Sequence, residues 1–408
     1  LVLIAAIPFW RLLSSSSAPV AQEAIRLTDS YAILLAQGTA ALMVVAAIMA
    51  ILASPETLAR SASSVGEWLC SWPSLRYAMV LAAVSGTLTG VISSYVWEAK
   101  PALIDAMAQF VHARYLAEGL LAGPAGLPYE FWVVSNTFVT ENGWISQYPP
   151  GHIAALAIGF GLGMVWVVCP LLMAVTVAFT SLTADRLFSD DLVVARVGAL
   201  LFAVSPFLAL LAAAHMSHVT AAALIAVAGY CALRARDEHW TWAIAAGLAV
   251  GAAFATRPLS GIALGSVMTV GVWATGFAGR EHPWRYLVTR LTASFVAALP
   301  LVFVVAAYNA RFFDSPLNFG YTASFGPSHG FGFHTDPLGN PFGPREGLAF
   351  TSSDLAALGY HLLRTPVSVV LVAGLFLALT RRLPLGTRVV AAWALVLIVP
   401  LGLYWHHD

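Results

Sequence analysis

Charge is the property that this sequence has least of. Asp, Glu, Lys and Arg make up only 10% of its 408 residues, whereas a soluble domain usually carries about a quarter. The two signs balance at 20 residues each, so no overall basic field is present to attract nucleic acid. The composition therefore excludes an ordinary soluble domain and gives no reason to expect a nucleic-acid partner.

Cysteine is also scarce. Cys70, Cys169 and Cys231 are far apart and show no Cys-x-x-Cys spacing. Two of them lie in or beside apolar runs, where an inert buried thiol is the favoured interpretation. The chain begins with Leu and stops abruptly at Tyr-Trp-His-His-Asp, so we expect a fragment truncated at both ends, in which the lack of a signal peptide carries little weight.

Long apolar runs are what the sequence has instead. Hydrophobic residues make up 59% of the chain, the mean hydropathy is +0.80, and the uncharged runs are too continuous for barrel strands. Runs of roughly 20 such residues can cross a bilayer as helices, which predicts an all-α, polytopic transmembrane helical bundle. The predicted runs are Tyr31–Ser54, Tyr77–Trp97, Pro149–Val165, Trp166–Phe188, Leu192–Ala214, Val219–Leu233, Trp240–Ala255, Leu259–Phe277, Leu287–Asn309, Pro366–Thr380 and Val389–Tyr404.

Two long polar stretches, Glu98–Tyr148 and Ala310–Thr365, interrupt the runs. They suggest four regions: an N-terminal membrane region (1–76), a core module (77–309) that includes the outer loop 98–148, an outer loop rich in Gly, Pro and His (310–365), and C-terminal helices (366–408). Lys and Arg concentrate in cytoplasmic loops. That bias places the two polar stretches outside and the loops that contain Arg60, Arg76, Arg186, Arg196, Arg234, Arg236, Arg280, Arg285, Arg290, Arg381, Arg382 and Arg388 inside.

This orientation requires an even number of crossings between the two outer loops, but seven apolar segments lie there. The count is restored if Pro149–Phe188 crosses once, with the segment that starts at Pro149-Pro150 forming a half-helix or re-entrant piece buried in protein. A wrong division of another run would restore it equally well.

Within the first outer loop, residues Pro101–Leu121 predict an amphipathic helix lying along the membrane surface. Its apolar residues recur near helical spacing, and its polar residues occupy the other faces. An ordinary solvated helix fits the pattern about as well. The apolar set is Leu103, Met107, Phe110, Val111 and Leu116, and the polar set is Asp105, Gln109, His112 and Arg114.

Asp105 is the first candidate site residue, because it is the only carboxylate between Glu98 and Glu118. A carboxylate near a helix N-terminus is commonly a favourable partner of the helix dipole. The functional alternative is a general base at the membrane interface, where apolar surroundings strengthen its electrostatics.

The second candidate is the corner Tyr148-Pro149-Pro150-Gly151-His152. A helix start explains one proline, but it does not explain two consecutive prolines followed by Gly. Pro149 also biases Tyr148 to an extended conformation. We interpret the corner as a rigid cavity wall along which an amphiphilic ligand could lie.

Polar residues at two further run ends are candidates. His215, Ser217 and His218 lie at the predicted outer end of an apolar run, where a capped or solvated histidine is the ordinary alternative. Arg257 follows an apolar run and precedes Pro258. It either snorkels to the surface or holds an anionic headgroup such as a phosphate.

The second outer loop brings His329, His334 and Asp336 close together in sequence. The spacing matches no recognised ligand template, so a metal is possible but not favoured. Its aromatic and glycine residues suit either a sugar-binding surface or a flexible lid with nothing specific bound.

In their order, these pieces resemble a known family. The acid-led helix (Ile104-Asp105-Ala106), the Gln147-Tyr148-Pro149-Pro150-Gly151-His152 corner, the Met216-Ser217-His218 turn and the Thr256-Arg257-Pro258 step look like the GT-C superfamily of membrane glycosyltransferases. The likeness is to bacterial relatives of the dolichyl-phosphate-mannose–protein mannosyltransferases and of the aminoarabinose transferases (glycosyltransferase family 39). It runs from about Tyr77 to the end of the chain.

The resemblance implies transfer of a sugar from a polyprenyl-phosphate donor to an acceptor on the outer face of a bacterial inner membrane. The acceptor could be a protein, a glycolipid or a polysaccharide. Asp105 would be the base, Arg257 and Arg114 would face the donor phosphate, and Tyr148, Pro149, Pro150, His152, His215 and His218 would line the cavity. Many members have two adjacent acidic residues in the first loop, whereas Ala106 follows Asp105 here, which weakens both a metal requirement and Asp105 as the sole catalyst.

Two other functions stay open at the level of sequence. A transporter or lipid flippase also contains broken helices and intramembrane polar residues, although we see no second copy of the proline corner. A transferase relative that has lost activity and serves as a structural subunit is the other alternative.

Overall fold

A computed structural model describes residues 54–361 except 127, 133, 141, 327–328, 331 and 337–338, together with residues 385–403 and isolated positions between 26 and 48. The predicted run Pro366–Thr380, most of the run Tyr31–Ser54 and the terminal His406-His407-Asp408 lie outside the described residues.

The described chain is built almost entirely from helices. In chain order these are α1 Pro55–Ser71, α2 Ser74–Tyr95, α3 Ile104–Ala117, α4 Pro150–Gly161, α5 Val165–Leu187, α6 Leu192–Ala203, α7 Pro206–Ala213, α8 Ser217–Asp237, α9 Trp242–Thr256, α10 Pro258–Thr275, α11 Pro283–Phe312, α12 Gly320–Phe325, α13 Pro344–His361 and α14 Leu385–Gly402. Residues Gly261–Ser266 of α10 form a π-helical segment.

Strands are confined, in the described residues, to two small antiparallel hairpins. Strands β1 (Thr137–Thr140) and β2 (Gly143–Ser146) pair with Thr137 opposite Ser146, and β3 (His334–Thr335) pairs with β4 (Pro341–Phe342). A single 3-10 turn, Tyr129–Trp132, precedes the first hairpin.

Five described helices are long and apolar enough to cross a membrane: α2, α5, α8, α10 and α11. Their apolar side chains point outward as well as inward; Val84 of α2 and Phe295 of α11, for example, are about half or more exposed (48% and 65%). A helix that is apolar all round is satisfied in lipid rather than in water. The predicted all-α polytopic membrane fold is confirmed.

Three predicted runs form shorter or broken elements, and one of them, Trp240–Ala255, gives the 15-residue helix α9. The run Leu192–Ala214 is divided into α6 and α7, which meet at a bend of 44°. The run that starts at Pro149 gives the 12-residue helix α4, which is about 18 Å long at 1.5 Å per residue and too short for a hydrocarbon core of about 30 Å. The half-helix that the orientation scheme requires is compatible with this length.

The chain divides into two compact units. The larger one comprises Pro73–Val204 and Leu208–Ser324 and contains α2 to α6, most of α7, α8 to α11 and the first hairpin. The other comprises 1–72, 205–207 and 325–408 and contains α1, the second hairpin, α13 and α14.

Small residues let the helices of the larger unit approach closely. A Cβ added at Gly247 of α9 would come within 2.6 Å of the Ser294 Cα on α11, and one added at Gly86 of α2 would come within 3.1 Å of the Pro170 carbonyl oxygen on α5. Packing between such surfaces, rather than the hydrophobic effect, associates helices in lipid.

A buried ion pair marks one end of this unit. Arg196 of α6 donates to Asp185 of α5 at 2.9 Å, and both side chains are buried. The Tyr77 hydroxyl donates to the Arg196 carbonyl oxygen at 2.7 Å, and its ring lies 4.6 Å from the guanidinium. The start of α2, the end of α5 and the start of α6 therefore meet at the same end of the bundle.

Candidate active site

The helix predicted in the first outer loop is α3, but two of its polar side chains are buried in the protein and several of its apolar side chains are exposed. Gln109 and His112 are almost fully buried, whereas Met107 and Val111 are 52% and 42% exposed. Phe110, on an intermediate face, packs edge-on against Phe160 of α4. An apolar outer face and a polar inner face suit a helix that lies against lipid and encloses a polar interior.

His112 connects α3 to Leu121 and to Ser146 of β2 through hydrogen bonds. Its Nε2 donates to the Leu121 carbonyl oxygen at 2.9 Å, and its Nδ1 accepts from the Ser146 amide at 3.3 Å. Burial lowers the pKa of His112, with the Leu121 carbonyl acting in the opposite direction. The ring therefore serves as a neutral tie between α3 and β2.

Asp105 lies in the first turn of α3 and is half-buried. Its carboxylate accepts a hydrogen bond from the Asn136 amide at 2.6 Å. The Tyr148 phenol lies near this carboxylate, and its pKa is raised by burial and then by the negative charge of Asp105. Asp105 is thus held by the Asn136 amide beside a buried phenol, which is more than a partner of the helix dipole requires.

Asn136 was missed by the sequence analysis, although it is central to the geometry. The β1–β2 register places the residue before β1 opposite the residue after β2, so Asn136 faces Gln147. Gln147 donates to the Asn136 carbonyl oxygen through its backbone amide and to Oδ1 through Nε2, both at 3.0 Å. The Ser324 hydroxyl in turn donates to Gln147 Oε1 at 2.6 Å.

The result is a chain of directed hydrogen bonds from Ser324 through Gln147 and Asn136 to Asp105. Asn136 adopts a left-handed backbone with φ of 66°, which Asn tolerates better than most residues. That preference is the one sequence signal that could have identified Asn136.

The proline corner is a tightly packed helix start. Pro149 has φ of −59° and ψ of 151°, and Pro150 occupies the first turn of α4. A Cβ added at Gly151 would lie 2.8 Å from the Ala255 carbonyl oxygen at the end of α9, and one added at Gly320 would lie 2.8 Å from the Gln147 Cα. Only glycine permits these two approaches, and they fix the Gln147–Gly151 backbone from both sides.

The predicted cavity-lining residues of this corner lie at different depths. Tyr148 is 4% exposed and packs edge-on against Tyr321 at 5.7 Å, Pro149 is buried, and Pro150 is half-buried. His152 is fully buried, with Nδ1 bonded to Thr220 Oγ1 at 2.7 Å and Nε2 donating to the His215 carbonyl oxygen at 3.0 Å. His152 supports the site from behind and does not present its ring to it.

His215 lies in the turn between α7 and α8 and has a positive φ of 61°. It is fully buried, its ring packs edge-on against Phe110 at 5.6 Å, and burial lowers its pKa. His218, in the first turn of α8, is half-buried. The two predicted histidines are therefore not equivalent, because only His218 has a partly accessible side chain.

Arg257 lies at the C-terminal end of α9, where the chain turns into α10. It is half-buried, and its Nη1 donates to the Ser217 hydroxyl at 3.3 Å. No carboxylate of the described residues forms a salt bridge with it. A partly buried arginine with only a hydroxyl partner has donors left for an anion.

The turn before α8 connects this arginine to α3. Ala106, which follows Asp105, packs against Ala214 and Met216, and the next residue, Ser217, receives the Arg257 hydrogen bond. Asp105 therefore directly precedes a residue that packs on this turn, and Arg257 bonds to the residue that ends it.

Arg114 lies apart from this arrangement. It is nine residues from Asp105 on α3, or about 13 Å along the axis, and it forms an exposed pair with Glu118 at 3.6 Å. The structure does not bring Arg114 to the Asp105 carboxylate.

The predicted histidines of the second outer loop belong to the other compact unit. His329 is buried and stacks on Phe325 at 4.8 Å. The two ring nitrogens of His334 lie 2.9 and 2.8 Å from the carbonyl oxygens of Thr335 and Gly330. Asp336 accepts from the Asn340 amide at 2.7 Å. Within the described part of the chain, no group of three His, Cys, Asp or Glu side chains is arranged to hold a metal ion.

Comparison with known proteins adds little to this geometry. No protein-family model matches the chain, and no curated protein matches it. A solved structure is similar to it: the archaeal oligosaccharyltransferase AglB from Archaeoglobus fulgidus, in complex with an inhibitory peptide and a dolichol-phosphate. The match is 12% identical, covers 81% of this chain and 37% of that chain, and has a TM-score of 0.40. On this comparison the two chains share neither an assignable activity nor an assignable site.

Proposed function

We propose that this membrane protein is a GT-C-type glycosyltransferase that moves a sugar from a polyprenyl-phosphate donor to an acceptor hydroxyl at the extracytoplasmic face. The observation that carries the proposal is that an oriented carboxylate, Asp105, and an arginine with no carboxylate partner among the described residues, Arg257, both lie next to the turn between α7 and α8. The resemblance of the Gln147–His152 corner and its neighbours to bacterial members of that superfamily supports the same activity.

In the proposed reaction, Asp105 accepts the proton of the acceptor hydroxyl as its oxygen attacks the anomeric carbon. The new C–O bond forms while the bond from that carbon to the phosphate oxygen breaks, and the polyprenyl phosphate leaves. A base that must be in place before the acceptor arrives benefits from fixed neighbours. Asn136 and Tyr148 supply such neighbours to Asp105.

Arg257 would stabilise the phosphate as negative charge develops on the leaving oxygen. A guanidinium is suited to this because its planar set of donors matches phosphate oxygens. Its half-buried position strengthens the interaction relative to open solvent. The polyprenyl tail would stay in the lipid that surrounds the exposed apolar faces of the helices.

The decisive experiment compares Asp105→Asn with Glu130→Gln, an exposed carboxylate of the same predicted outer loop. Both purified variants are incubated with a panel of radiolabelled polyprenyl-phosphate sugars and candidate acceptors, and release of the carrier phosphate is measured. We expect Asp105→Asn to lower transfer by about 100-fold or more, the usual effect of removing a general base, and Glu130→Gln to leave it unchanged.

In Asp105→Asn the new amide oxygen can still accept the Asn136 hydrogen bond, so the variant should fold with an unaltered midpoint of thermal unfolding. Full transfer by Asp105→Asn would overturn the assigned role. If the protein moves the intact donor lipid between the two leaflets of a proteoliposome membrane and releases no sugar, it is a flippase instead.

A further inference from the structure

A polar cavity lies at the opposite end of the bundle from Asp105. It has a volume of about 280 Å³ and is lined by Trp240, His282, Arg285, Tyr286, Thr289 and Arg290. Helix α8 runs 21 residues from Ser217 to Asp237, so this end is about 30 Å from the Arg257 contact. The cavity plays no part in the proposed transfer.

Arg290 forms the floor of this cavity and is 8% exposed. Its Nε donates to the Ala235 carbonyl oxygen at 2.7 Å, its Nη1 donates to the Tyr286 carbonyl oxygen at 3.0 Å, and it stacks 3.8 Å from the Tyr286 ring. These partners are neutral. The positive charge of Arg290 is therefore buried without a compensating carboxylate within the described residues.

The neighbouring Arg280 and Arg285 also form no salt bridge with a described carboxylate. Arg280 donates to the Arg236 carbonyl oxygen at 2.8 Å and lies 4.9 Å from the Tyr286 ring. Arg285 is exposed, and no described carboxylate forms a salt bridge with it. Arg280 and Arg290 thus lie against the Tyr286 ring, Arg285 lines the same cavity, and no carboxylate forms a salt bridge with any of the three among the described residues.

Two of the three nearby carboxylates are engaged by other arginines. Asp237 pairs with Arg236 at 2.6 Å, and Glu238 pairs with Arg186 at 2.7 Å and also with Arg234. Glu281 is exposed. Since none of these three carboxylates forms a salt bridge with Arg280, Arg285 or Arg290 among the described residues, the unbalanced charge at the cavity favours an anion from outside the protein.

The surroundings of the cavity indicate an anion attached to lipid. Trp284 is 69% exposed beside Arg285, and exposed tryptophans mark the level of the membrane interface. Along the same helix, Val288, Phe295 and Val296 are more than half exposed and form an apolar strip that begins one turn from Arg285. A headgroup in the cavity would place its acyl chains on that strip.

We propose that this cavity binds the phosphate of an anionic phospholipid. A volume of 280 Å³ holds about nine waters at roughly 30 Å³ each, enough for a phosphodiester. Arg285 and Arg290 neutralise the phosphate charge, and His282 and Thr289 offer further hydrogen bonds to its oxygens. Basic pockets between membrane helices are suited to such headgroups.

The test is a binding titration of the purified, delipidated protein by native mass spectrometry, with phosphatidylglycerol, phosphatidylcholine and inorganic phosphate as separate probes. The variant is Arg285→Gln, which changes an exposed side chain and leaves the buried Arg290 contacts in place. The matched control is Arg76→Gln, an exposed arginine next to Tyr77 at the same end of the bundle.

We expect phosphatidylglycerol to bind at a saturable site, phosphatidylcholine to bind far more weakly, and Arg285→Gln to weaken phosphatidylglycerol about tenfold while Arg76→Gln has no effect. If inorganic phosphate binds and Arg285→Gln weakens that binding too, the cavity is an anion site whose ligand comes from solution and not from the lipid. Equal binding of both lipids, or equal effects of the two variants, would overturn the proposal. Arg285→Lys should restore most of the affinity.

Discussion

At the scale of single residues, the Asp105 carboxylate lies at the end of a series of hydrogen-bonded side chains. Asn136 donates to it, Gln147 fixes Asn136 at two points, and Ser324 fixes Gln147. Each donor in this series points toward the carboxylate, so the series fixes where the oxygens of Asp105 lie. Positioning of this kind affects reaction rate more than substrate binding.

Replacement of Asn136 tests this arrangement. Asn136→Gly keeps the left-handed backbone, because glycine adopts a φ of 66° freely, but removes the amide that donates to Asp105. We expect transfer to fall about 10-fold to 100-fold through kcat, with KM nearly unchanged.

The control for that experiment is Asn142→Gly, the same change at an exposed residue in the turn of the same hairpin. It should leave kcat as in the parent protein. If both variants lose activity equally, or if Asn136→Gly raises KM alone, Asn136 acts by stabilising the hairpin and not by positioning the carboxylate.

At the scale of elements, the site depends on where α4 begins. The two prolines fix the approach of the chain, and Gly151 lets the first turn of α4 pack against the last turn of α9. The same contact brings Thr256 and the following Arg257 to the level of Tyr148. A helix that started one residue later would move the phenol away from Asp105.

A pair of glycine substitutions in α4 tests this packing. At Gly151, a methyl group would lie 2.8 Å from the Ala255 carbonyl oxygen, and we expect Gly151→Ala to destabilise the protein by about 1–3 kcal/mol. At Gly161, no atom lies within 4 Å of an added Cβ, so Gly161→Ala should be neutral or stabilising by up to about 1 kcal/mol.

The measurement for both is the midpoint of thermal unfolding in detergent. A lower midpoint in Gly151→Ala, accompanied by reduced transfer, is expected. Equal midpoints in the two variants would mean that the end of α9 moves aside readily, and that the corner is less rigid than its packing indicates.

At the scale of the whole molecule, the larger unit has two chemically different ends. Asp105, the proline corner and Arg257 occupy one end, and the Asp185–Arg196 pair and the arginines around Tyr286 occupy the other. Helices of bilayer length join the two ends. Positive charge concentrates at the second end, which predicts that it faces the cytoplasm.

Cysteine labelling in cells tests this orientation. Glu130 and Asp190 are both exposed and lie in loops at the two ends. In a Cys70→Ser background, we expect a membrane-impermeant maleimide to label Glu130→Cys in intact cells and Asp190→Cys only after permeabilisation. Cys169 and Cys231 are buried and should stay unlabelled. The opposite pattern would invert the topology and remove the extracytoplasmic site.

The sequence by itself determined the membrane fold and several separate candidates. Scarce charge and continuous apolar runs leave helices in lipid as the only structure that satisfies the backbone, and the five candidate spans confirm this. Asp105 and Arg257 could be selected from the sequence because a charged side chain at the edge of an apolar region is costly unless it is paired or functional.

Only the tertiary structure decided which candidates meet. It joined Asp105 to Asn136 and Tyr148, turned Gln109 and His112 inward on α3, and buried His152 while leaving Arg114 exposed on the far turn. Spacing along a chain gives the face of a helix but not which face turns toward the protein, because in lipid an apolar side chain is equally satisfied outside. Contacts between residues more than 30 positions apart depend on loop geometry and close glycine packing, which no local pattern encodes.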